Sequence, residues 1–239
     1  MAIYLPELSP TDVSFPPLQQ ALQQPDGLLA MGGDLSPERL LSAYSKGIFP
    51  WFSDGDPLLW WSPSVRAVFA PDSLKLNRSL AKQLRRFNYS FSINKAFSQV
   101  IRHCAAPRAK QDGTWILPQM QQAYTQLHFS GHAHSIEVWQ QSKLVGGLYG
   151  VQVGSLFCGE SMFNLVPDAA KLALIALQQH MQHAAPGWID CQMPNPFLLQ
   201  LGASPLARAD YIRLLQQSAR PLPEQHWQSR FIELVANHA

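Results

Sequence analysis

The sequence predicts a mixed α/β (α+β) protein in which a small N-terminal lobe precedes a larger domain with a mixed, largely antiparallel sheet. Three strand-like runs follow one another with short connections at residues 133–139, 144–153 and 155–163, and this spacing favours an antiparallel meander. Segments with helical spacing of apolar residues stand on both sides of the meander. Residues 1–65, by contrast, are rich in Pro, Gly and Trp. We therefore expect the lobe at 1–65 and the larger domain at 66–239.

The composition excludes several classes of protein. Of the 239 residues, 46% are hydrophobic and 14% are charged, which suffices for a buried core and excludes a disordered chain. Cys104, Cys158 and Cys191 lie far apart without CxxC spacing, so we expect neither a disulfide framework nor a metal site. The first residues lack the features of a signal peptide, and no apolar run is long enough to cross a membrane. These observations predict a cytoplasmic protein without a membrane partner.

The N-terminal lobe contains a segment with clear helix boundaries. Ser36 is a suitable N-cap, Pro37 suits the first helical position, and Gly47 suits a left-handed residue at the end. The apolar face of this helix is supplied by Leu40, Leu41 and Tyr44. We expect the aromatic residues that follow the helix to divide between packing and lining a site.

Positive charge is concentrated in one part of the sequence. Nine of the 18 Lys and Arg residues fall between Lys75 and Lys110, in a window without Asp or Glu. We expect a helix here with Asn77 as its N-cap. One side of this basic helix carries Arg78, Lys82, Arg85 and Arg86. The opposite side carries Leu80, Leu84 and Phe87. A solvated helix face and a phosphate-binding surface both fit this pattern, and the missing acids favour the second.

The larger domain alternates further between helices and strands. Additional strands are predicted at 65–69, 89–93 and 187–193, and additional helices at 95–105, 118–129 and 168–183. A meander followed by a helix and a strand is the order found in acyltransferases of the GNAT type, so we expect a GNAT-like acyltransferase domain. The turn at 163–171 (FNLVPDAAK) contains no glycine, so backbone N–H groups cannot closely approach the pyrophosphate of acetyl-CoA there.

Carboxylates inside apolar strand-like runs are candidates for a functional site, because an unpaired charge is unfavourable there. They are Glu137, Glu160 and Asp190. Asp190 and Gln192 are two residues apart, so on a strand both side chains would point to the same face. Each carboxylate alone also fits a structural ion pair or a hydrogen-bonded buried group. Together, Glu160 and Asp190 on strands of one sheet favour an anionic pocket for a cationic ligand.

Histidine and cysteine supply no clear chemistry. His132 and His134 form an HxH pair, but no acidic or sulfur ligand follows at a recognisable spacing, so we do not expect a metal. His180 and His183 lie on the flank of a predicted helix and are expected to be solvated. The cysteines lack an identifiable base that would make one of them a nucleophile.

Several motifs together resemble a known family. They are DGLLAMGGDLSPERLLSAYSKGIFPWF, WWSPSVRAV, GTWI, GHAHSIEVW, LVGGLYGV, LFCGESMF and IDCQ. In this order, over nearly the whole chain, they resemble the leucyl/phenylalanyl-tRNA–protein transferase family. The resemblance implies transfer of Leu or Phe, and also Met, from aminoacyl-tRNA to an N-terminal Arg or Lys of a protein. That transfer marks the protein for degradation in the N-degron pathway. We expect no cofactor and a monomeric enzyme.

The resemblance also implies roles for individual residues. Asp190 and Gln192 would be the catalytic pair, and Glu160 would bind the acceptor peptide. Trp51 and Trp115 would hold the terminal adenosine. The pocket for the donor side chain would be lined by Leu148, Phe157 and Met162. The tRNA phosphates would be bound by Arg78, Lys82, Arg85 and Arg86.

Two other functions are open from the residues alone. An acyl-CoA N-acetyltransferase would share the expected sheet, but the glycine-free turn after the meander disfavours it. A tRNA-binding module without catalysis would use the basic helix, but it would have no need for Asp190 and Gln192.

Overall fold

The computed structural model describes residues 4–74, 78–106 and 115–234. Within these ranges, two β-sheets and seven α-helices confirm the expected mixed α/β class. The helices are α1 (Pro37–Tyr44), α2 (Arg78–Phe87), α3 (Phe97–Ala105), α4 (Pro118–Phe129), α5 (Ala169–Gln182), α6 (Pro196–Gln200) and α7 (Arg208–Gln217). The strands are β1 (Glu7–Leu8), β2 (Leu28–Gly32), β3 (Phe49–Pro50), β4 (Leu59–Trp61), β5 (Val65–Phe69), β6 (Tyr89–Ile93), β7 (Ala133–Gln140), β8 (Lys143–Val153), β9 (Leu156–Asn164), β10 (Ile189–Asp190), β11 (Ser204–Ala207) and β12 (Arg230–Ile232).

Some expectations concern residues that the structure does not describe. The expected N-cap Asn77 and the cations Lys75, Arg108 and Lys110 lie outside the described residues. None of the helices in the described ranges has both the length and the apolar surface that a membrane span requires.

The N-terminal lobe is built on a four-stranded sheet with the strand order β1-β2-β4-β3. Helix α1 connects β2 to β3. The Ser36 side chain accepts a hydrogen bond from the backbone N–H of Arg39, and Pro37 occupies the first turn, as predicted. Gly47 follows the helix with a φ of 74°, in the left-handed region that glycine adopts without strain. With these ends, α1 places its last residue, Tyr44, in the core.

Arg39 ties α1 to the loop that follows β1. Its guanidinium is buried and donates hydrogen bonds to the backbone carbonyls of Ser9 and Asp12, at 2.6 and 3.0 Å. It also forms an ion pair with Asp34 at 3.1 Å. Because a buried guanidinium requires partners for its donors, this cluster holds α1 in one orientation.

The larger sheet has eight strands in the order β11-β5-β10-β9-β8-β7-β6-β12. Strands β7 to β9 form the predicted antiparallel meander, and β6 pairs antiparallel with β7. Strand β10 pairs in parallel with β9, and the other neighbours are antiparallel. A parallel pair requires a crossover connection, which α5 supplies between β9 and β10. The sheet is therefore mixed and largely antiparallel, as the sequence predicts.

Helices cover both faces of the larger sheet. Helices α2 and α5 pack on one face, and α3 and α4 pack on the other together with the N-terminal lobe. Successive side chains of a strand point to opposite faces, so Leu148 of β8 packs toward α5 while Tyr149 packs toward α3 and α4. The lobe and the sheet share one hydrophobic core on that second face.

A β-bulge interrupts the pairing of β8 with β9. Tyr149 lies opposite Ser161 and Gly150 lies opposite Gly159, so Glu160 is the extra residue. Gly150 is required at this position, because a Cβ atom there would collide with the carbonyl oxygen of Cys158. The bulge therefore places Glu160 outside the regular alternation of the strand.

The predicted strand 187–193 is much shorter than expected, since β10 comprises only two residues. Gln192 has a φ of 62° and lies outside the strand, so the prediction that it shares a strand face with Asp190 is wrong. The chain leaves the extended conformation at Gln192, whose backbone N–H donates to the Asp190 carboxylate and not to a neighbouring strand.

Candidate active site

Glu160 and Asp190 lie on neighbouring strands and face the N-terminal lobe. Strand β10 pairs in parallel with β9, and Asp190 lies opposite Cys158, two residues before Glu160. Both carboxylates are buried. Each one contacts a different set of donors, so the two carboxylates differ in their chemistry.

Asp190 is paired with Arg66 of β5. The Arg66 Nε donates to Asp190 Oδ1 at 3.1 Å, and its Nη2 forms a short ion pair with Oδ2. The Tyr211 hydroxyl donates to Oδ2 at 3.0 Å, and the backbone N–H of Gln192 donates to Oδ1 at 2.9 Å. Burial lowers the pKa of Arg66, but the attraction of Asp190 outweighs burial, and this pKa is raised above its usual range. Arg66 thus neutralises Asp190, and the expectation that Asp190 belongs to an unpaired anionic pocket is wrong.

The sequence interpretation missed Arg66, although one signal for it is present. Arg66 lies in the run Val65–Phe69, whose other residues are apolar, and a cation in such a strand requires a buried partner. What the sequence does not indicate is which carboxylate provides it, because β5 and β10 are far apart along the chain.

Glu160 is held by neutral hydrogen-bond donors. The Tyr44 hydroxyl of α1 donates to Oε1 at 2.7 Å, and the Tyr124 hydroxyl of α4 donates to Oε2 at 2.9 Å. The Gln192 Nε2 donates to Oε1 at 2.8 Å. The two tyrosine oxygens lie 2.5 Å apart. Residues of the lobe, a helix and a strand of the larger domain therefore meet at one carboxylate.

Burial raises the pKa of Glu160 to about 7, against the lowering effect of the two tyrosine hydrogen bonds. Burial also raises the pKa of Tyr44 and Tyr124, and the Glu160 charge raises it further, so both phenols stay protonated. Glu160 can therefore exchange a proton near neutral pH, whereas Asp190 is fixed by a cation.

Gln192 connects the two carboxylates. Its backbone N–H contacts Asp190 while its side-chain amide contacts Glu160. The positive φ of Gln192 allows its backbone and its side chain to contact different carboxylates, because the chain turns away from the extended path of β10 at this residue. Asp190 thus holds the backbone of Gln192, and Glu160 holds its side-chain amide.

An apolar cavity of about 480 Å³ borders Glu160 on the α5 side of the sheet. Its wall includes Leu148, Met162, Leu174, Leu177, Ile189, Phe197 and Leu198. Two of the three residues expected to form a donor pocket, Leu148 and Met162, are thus brought together. Phe157 is fully buried with its ring 5.5 Å from that of Trp227, and it is not part of the cavity wall.

The two tryptophans expected to hold an adenosine lie apart from the cavity wall. Trp51 follows β3, is 38% exposed, and has its ring 5.4 Å from the Trp61 ring in an edge-to-face arrangement. Trp115 is partly buried against the core shared by the two lobes. Trp51 thus offers an exposed ring surface in the N-terminal lobe.

Helix α2 is the predicted basic helix. All four cations, Arg78, Lys82, Arg85 and Arg86, are exposed. None of them forms an ion pair with a residue that the structure describes. Leu80 is buried as predicted, but Phe87 is 37% exposed, because it ends the helix and lies beneath the Arg86 guanidinium. The helix therefore presents a cationic face to solvent.

Other polar candidates have structural partners. Glu137 accepts hydrogen bonds from the hydroxyls of Ser92 and Ser135 and from backbone N–H groups at the start of α3, so it is a hydrogen-bonded buried group. His183 is exposed as expected, but the expectation that His180 is solvated is wrong. His180 stacks on His226 at 4.0 Å between centroids, because the segment before β12 folds over α5. The described residues contain no cluster of three or more potential metal ligands.

The raised pKa of Glu160 leads to a prediction about stability. A carboxyl whose folded pKa lies near 7, above an unfolded value of 4.5, stabilises the fold fully below pH 4.5, and this contribution is lost as the pH rises through 7. We expect the free energy of unfolding of Glu160→Gln, taken relative to that of the wild type, to increase by roughly 3 kcal/mol between pH 4.5 and 8. Urea unfolding of both proteins across this range measures it. Asp54→Asn, a change of an exposed acid, serves as the control, and a pH-independent difference for Glu160→Gln contradicts the prediction.

The two-lobe fold and the buried site together define an α/β enzyme whose acid–amide cluster borders an apolar cavity. A family model described as leucyl/phenylalanyl-tRNA protein transferase matches residues 68–216, and a model of the N-terminal domain of the same family matches residues 33–64. The chain belongs to the leucyl/phenylalanyl-tRNA–protein transferase family, which confirms the resemblance of its motifs.

Relatives with this family name match most of the chain. The protein of Shewanella piezotolerans is 59% identical over 203 residues, covering 85% of this chain and 86% of the relative. The protein of Chromobacterium violaceum is 52% identical over 224 residues, covering 93% and 96%. The protein of Idiomarina loihiensis is 50% identical over 229 residues, covering 95% and 97%.

Proposed function

We propose that this chain transfers Leu, Phe or Met from an aminoacyl-tRNA to the α-amine of an N-terminal Arg or Lys of a protein. The new N-terminal residue destabilises that protein and directs it to degradation in the N-degron pathway. The observation that carries the proposal is an apolar cavity bordered by Glu160, whose carboxylate contacts the Gln192 amide, in a chain of this family. The cavity suits the apolar donor side chain, and the polar cluster lies where ester and amine would meet.

The chemistry demands positioning more than a strong base. The ester of an aminoacyl-tRNA is already activated, and the attacking group has only to be a neutral amine. An α-amine has a pKa of about 7.7–8.0, so keeping it neutral at pH 7 costs only about 1 kcal/mol. Alignment of amine and ester in a site of fixed geometry then supplies most of the acceleration.

Asp190 and Gln192 form the catalytic pair of this proposal. The Gln192 amide positions the reacting groups, and Asp190 holds the Gln192 backbone in its left-handed conformation. Because Arg66 and Tyr211 occupy both oxygens of Asp190, this carboxylate supports the site and has no oxygen free for the reacting amine. Glu160 contacts the N-terminal residue of the acceptor.

The donor is held at its terminal adenosine and at its amino-acid side chain. The rings of Trp51 and Trp115 take the terminal adenosine, and stacking of a base on an aromatic ring is worth about 1–3 kcal/mol. Leu148 and Met162 line the side-chain pocket directly, and Phe157 supports it from the core. A narrow apolar pocket admits unbranched or γ-branched side chains and rejects β-branched ones by shape, at about 1–3 kcal/mol for each methyl group.

The tRNA backbone binds to the cationic face of α2, formed by Arg78, Lys82, Arg85 and Arg86. In this proposal residues 1–65 form the lobe that holds the adenosine, and residues 66–239 form the GNAT-like catalytic domain. A monomeric state and a cytoplasmic location belong to the same proposal, since one chain carries every proposed contact and aminoacyl-tRNA is found in the cytoplasm.

Acetyl-CoA is the competing acyl donor. The start of α5, where a pyrophosphate would bind, carries Asp168, whose carboxylate is bound by Lys171 and Gln83. A carboxylate at that place repels an anionic ligand, and the turn has no glycine for close backbone approach.

One assay separates the candidate functions. The purified chain is incubated with labelled Phe-tRNA and a peptide that begins with Arg, and in parallel with labelled acetyl-CoA and the same peptide. We expect label from Phe-tRNA in the peptide, and none when the peptide is N-acetylated. Label from acetyl-CoA alone would identify an acetyltransferase. Tight tRNA binding without any transfer would identify a binding module.

A further inference from the structure

Glu160 and two tyrosine side chains form a closed ring of contacts. Tyr44 contacts Oε1, Tyr124 contacts Oε2, and the two phenol oxygens contact each other at 2.5 Å. Each phenol has one hydrogen to donate, and a carboxylate has none. With Glu160 ionised, the ring has two hydrogens for three contacts, and one close pair of oxygens remains without a proton between them.

Protonation of Glu160 completes this ring. The acid then donates from Oε1 to Tyr44, Tyr44 donates to Tyr124, and Tyr124 donates to Oε2. The Gln192 amide can still donate to Oε1. Glu160 can therefore accept one proton without the loss of a contact in this ring.

An ionised Glu160 also has room for one more donor. A carboxylate offers about four lone-pair positions, and three donors are found on Glu160, two at Oε1 and one at Oε2. The remaining position at Oε2 suits a single N–H of an amine. Asp190 offers no such position, because two bonds from Arg66 and one each from Tyr211 and Gln192 occupy it.

We propose that Glu160 is the proton acceptor of the transfer step, and that Tyr44 and Tyr124 are positioning residues whose hydrogen bonds hold its carboxyl group in place. The inference rests on the proposed function, since it names the group that serves the same reaction. The neutral α-amine attacks the ester carbonyl, and the new C–N bond places a positive charge on nitrogen. Glu160 accepts a proton from this nitrogen as the charge develops. The C–O bond to the ribose then breaks, and Glu160 returns the proton to the leaving ribose oxygen.

Groups from every surrounding element face Glu160. Tyr44 of α1 and Tyr124 of α4 hydrogen-bond to it, and Tyr149 of β8 lies next to it with a buried hydroxyl that has no hydrogen-bond partner among the described residues. Asp190 raises the pKa of Glu160 and Arg66 lowers it, both less than burial does. Burial raises this pKa to about 7, and each tyrosine bond lowers it.

The pH dependence of transfer tests the proposal. Transfer of label from Phe-tRNA to an Arg-starting peptide is measured as kcat/KM from pH 5.5 to 8.5, with spontaneous ester hydrolysis measured at each pH. Two groups must lose a proton before attack, the α-amine and Glu160. We therefore expect log(kcat/KM) to rise with a slope near 2 at the acid end of the wild-type profile. In Glu160→Gln only the amine titrates, and the slope should be near 1 with about 10²–10⁴-fold lower activity at pH 8.

Two further variants keep the test informative if Glu160→Gln folds poorly. Tyr44→Phe and Tyr124→Phe each remove a hydrogen bond that favours the carboxylate, so the break assigned to Glu160 should move to higher pH. Tyr149→Phe is the matched control, because its hydroxyl takes no part in the ring, and the break should stay in place whatever its effect on rate.

The outcomes distinguish a failure of the role of Glu160 from a failure of the proposed function. A slope near 1 in the wild type, with the same break in Tyr44→Phe and Tyr124→Phe, would contradict the role of Glu160 while transfer itself is observed. Absence of transfer at every pH in the wild type would contradict the proposed function. A slope of 2 that falls to 1 in Glu160→Gln supports both.

Discussion

Asp190→Ala is expected to destabilise the folded protein by about 3–5 kcal/mol, because it leaves a buried guanidinium without its carboxylate. Arg66 is only 1% exposed, and its Nε and Nη2 both donate to Asp190. The Tyr211 hydroxyl would lose its acceptor as well. Transfer and tRNA binding should therefore fall together in this variant, because part of the population unfolds.

The double variant Arg66→Met/Asp190→Leu separates stability from function. Replacing both partners of a buried ion pair with apolar residues is often neutral or stabilising. Urea unfolding should show that the double variant regains most of the stability. Filter binding should show that it still binds tRNA. Transfer should stay low, because the Gln192 N–H has lost the acceptor that fixes its conformation. An Asp190→Ala protein within about 1 kcal/mol of the wild type would show that the pair does not hold the site together.

Neutralising the four cations of α2 is expected to remove most of the salt dependence of tRNA binding. Each phosphate contact contributes about −0.7 to −0.9 to the slope of log K against log salt. If the four side chains contact four phosphates, raising salt from about 50 to 200 mM weakens wild-type binding by roughly two decades. The variant Arg78→Gln/Lys82→Gln/Arg85→Gln/Arg86→Gln should lose nearly all of this dependence.

The control for this variant carries the same change of net charge. Lys46, Lys143, Arg213 and Arg220 are exposed cations outside α2, and their replacement by Gln should leave the salt slope nearly unchanged. Filter binding or fluorescence titration at several salt concentrations measures both proteins. Equal loss of slope in the two variants would indicate a general effect of net charge, and no loss in the first would exclude α2 as the phosphate-binding surface.

The distribution of charge, not its total, carries the information about partners. The net charge of +2 is small. The α2 cations have no acid partner among the described residues, whereas the acids of the site are buried and paired or held by neutral donors. A protein that binds a polyanion on one surface and a basic protein terminus in a pocket can therefore be nearly neutral.

Local structure followed the sequence closely. The predicted strands 65–69 and 89–93 and the helix 118–129 match the observed bounds, and the Ser36 cap of α1 is present. Such signals act over a few residues, through side-chain periodicity and capping bonds, so they can be read without knowledge of the fold. The strand expected at 187–193 is shorter because Gln192 adopts a positive φ and its backbone N–H bonds to Asp190, a contact that periodicity does not show.

The amino-acid sequence alone was sufficient to indicate the family, the elements and the identity of Glu160, Asp190 and Gln192 as unusual polar residues. Their chemistry depended on partners from distant parts of the chain. Tyr44 lies 116 residues from Glu160, and Arg66 lies 124 residues from Asp190. Sequence periodicity does not reveal such contacts, because they form only when the lobe packs on the sheet and strand β10 inserts between β5 and β9. Packing thus pairs Asp190 with a cation, whereas Glu160 becomes a buried carboxyl group that can hold a proton.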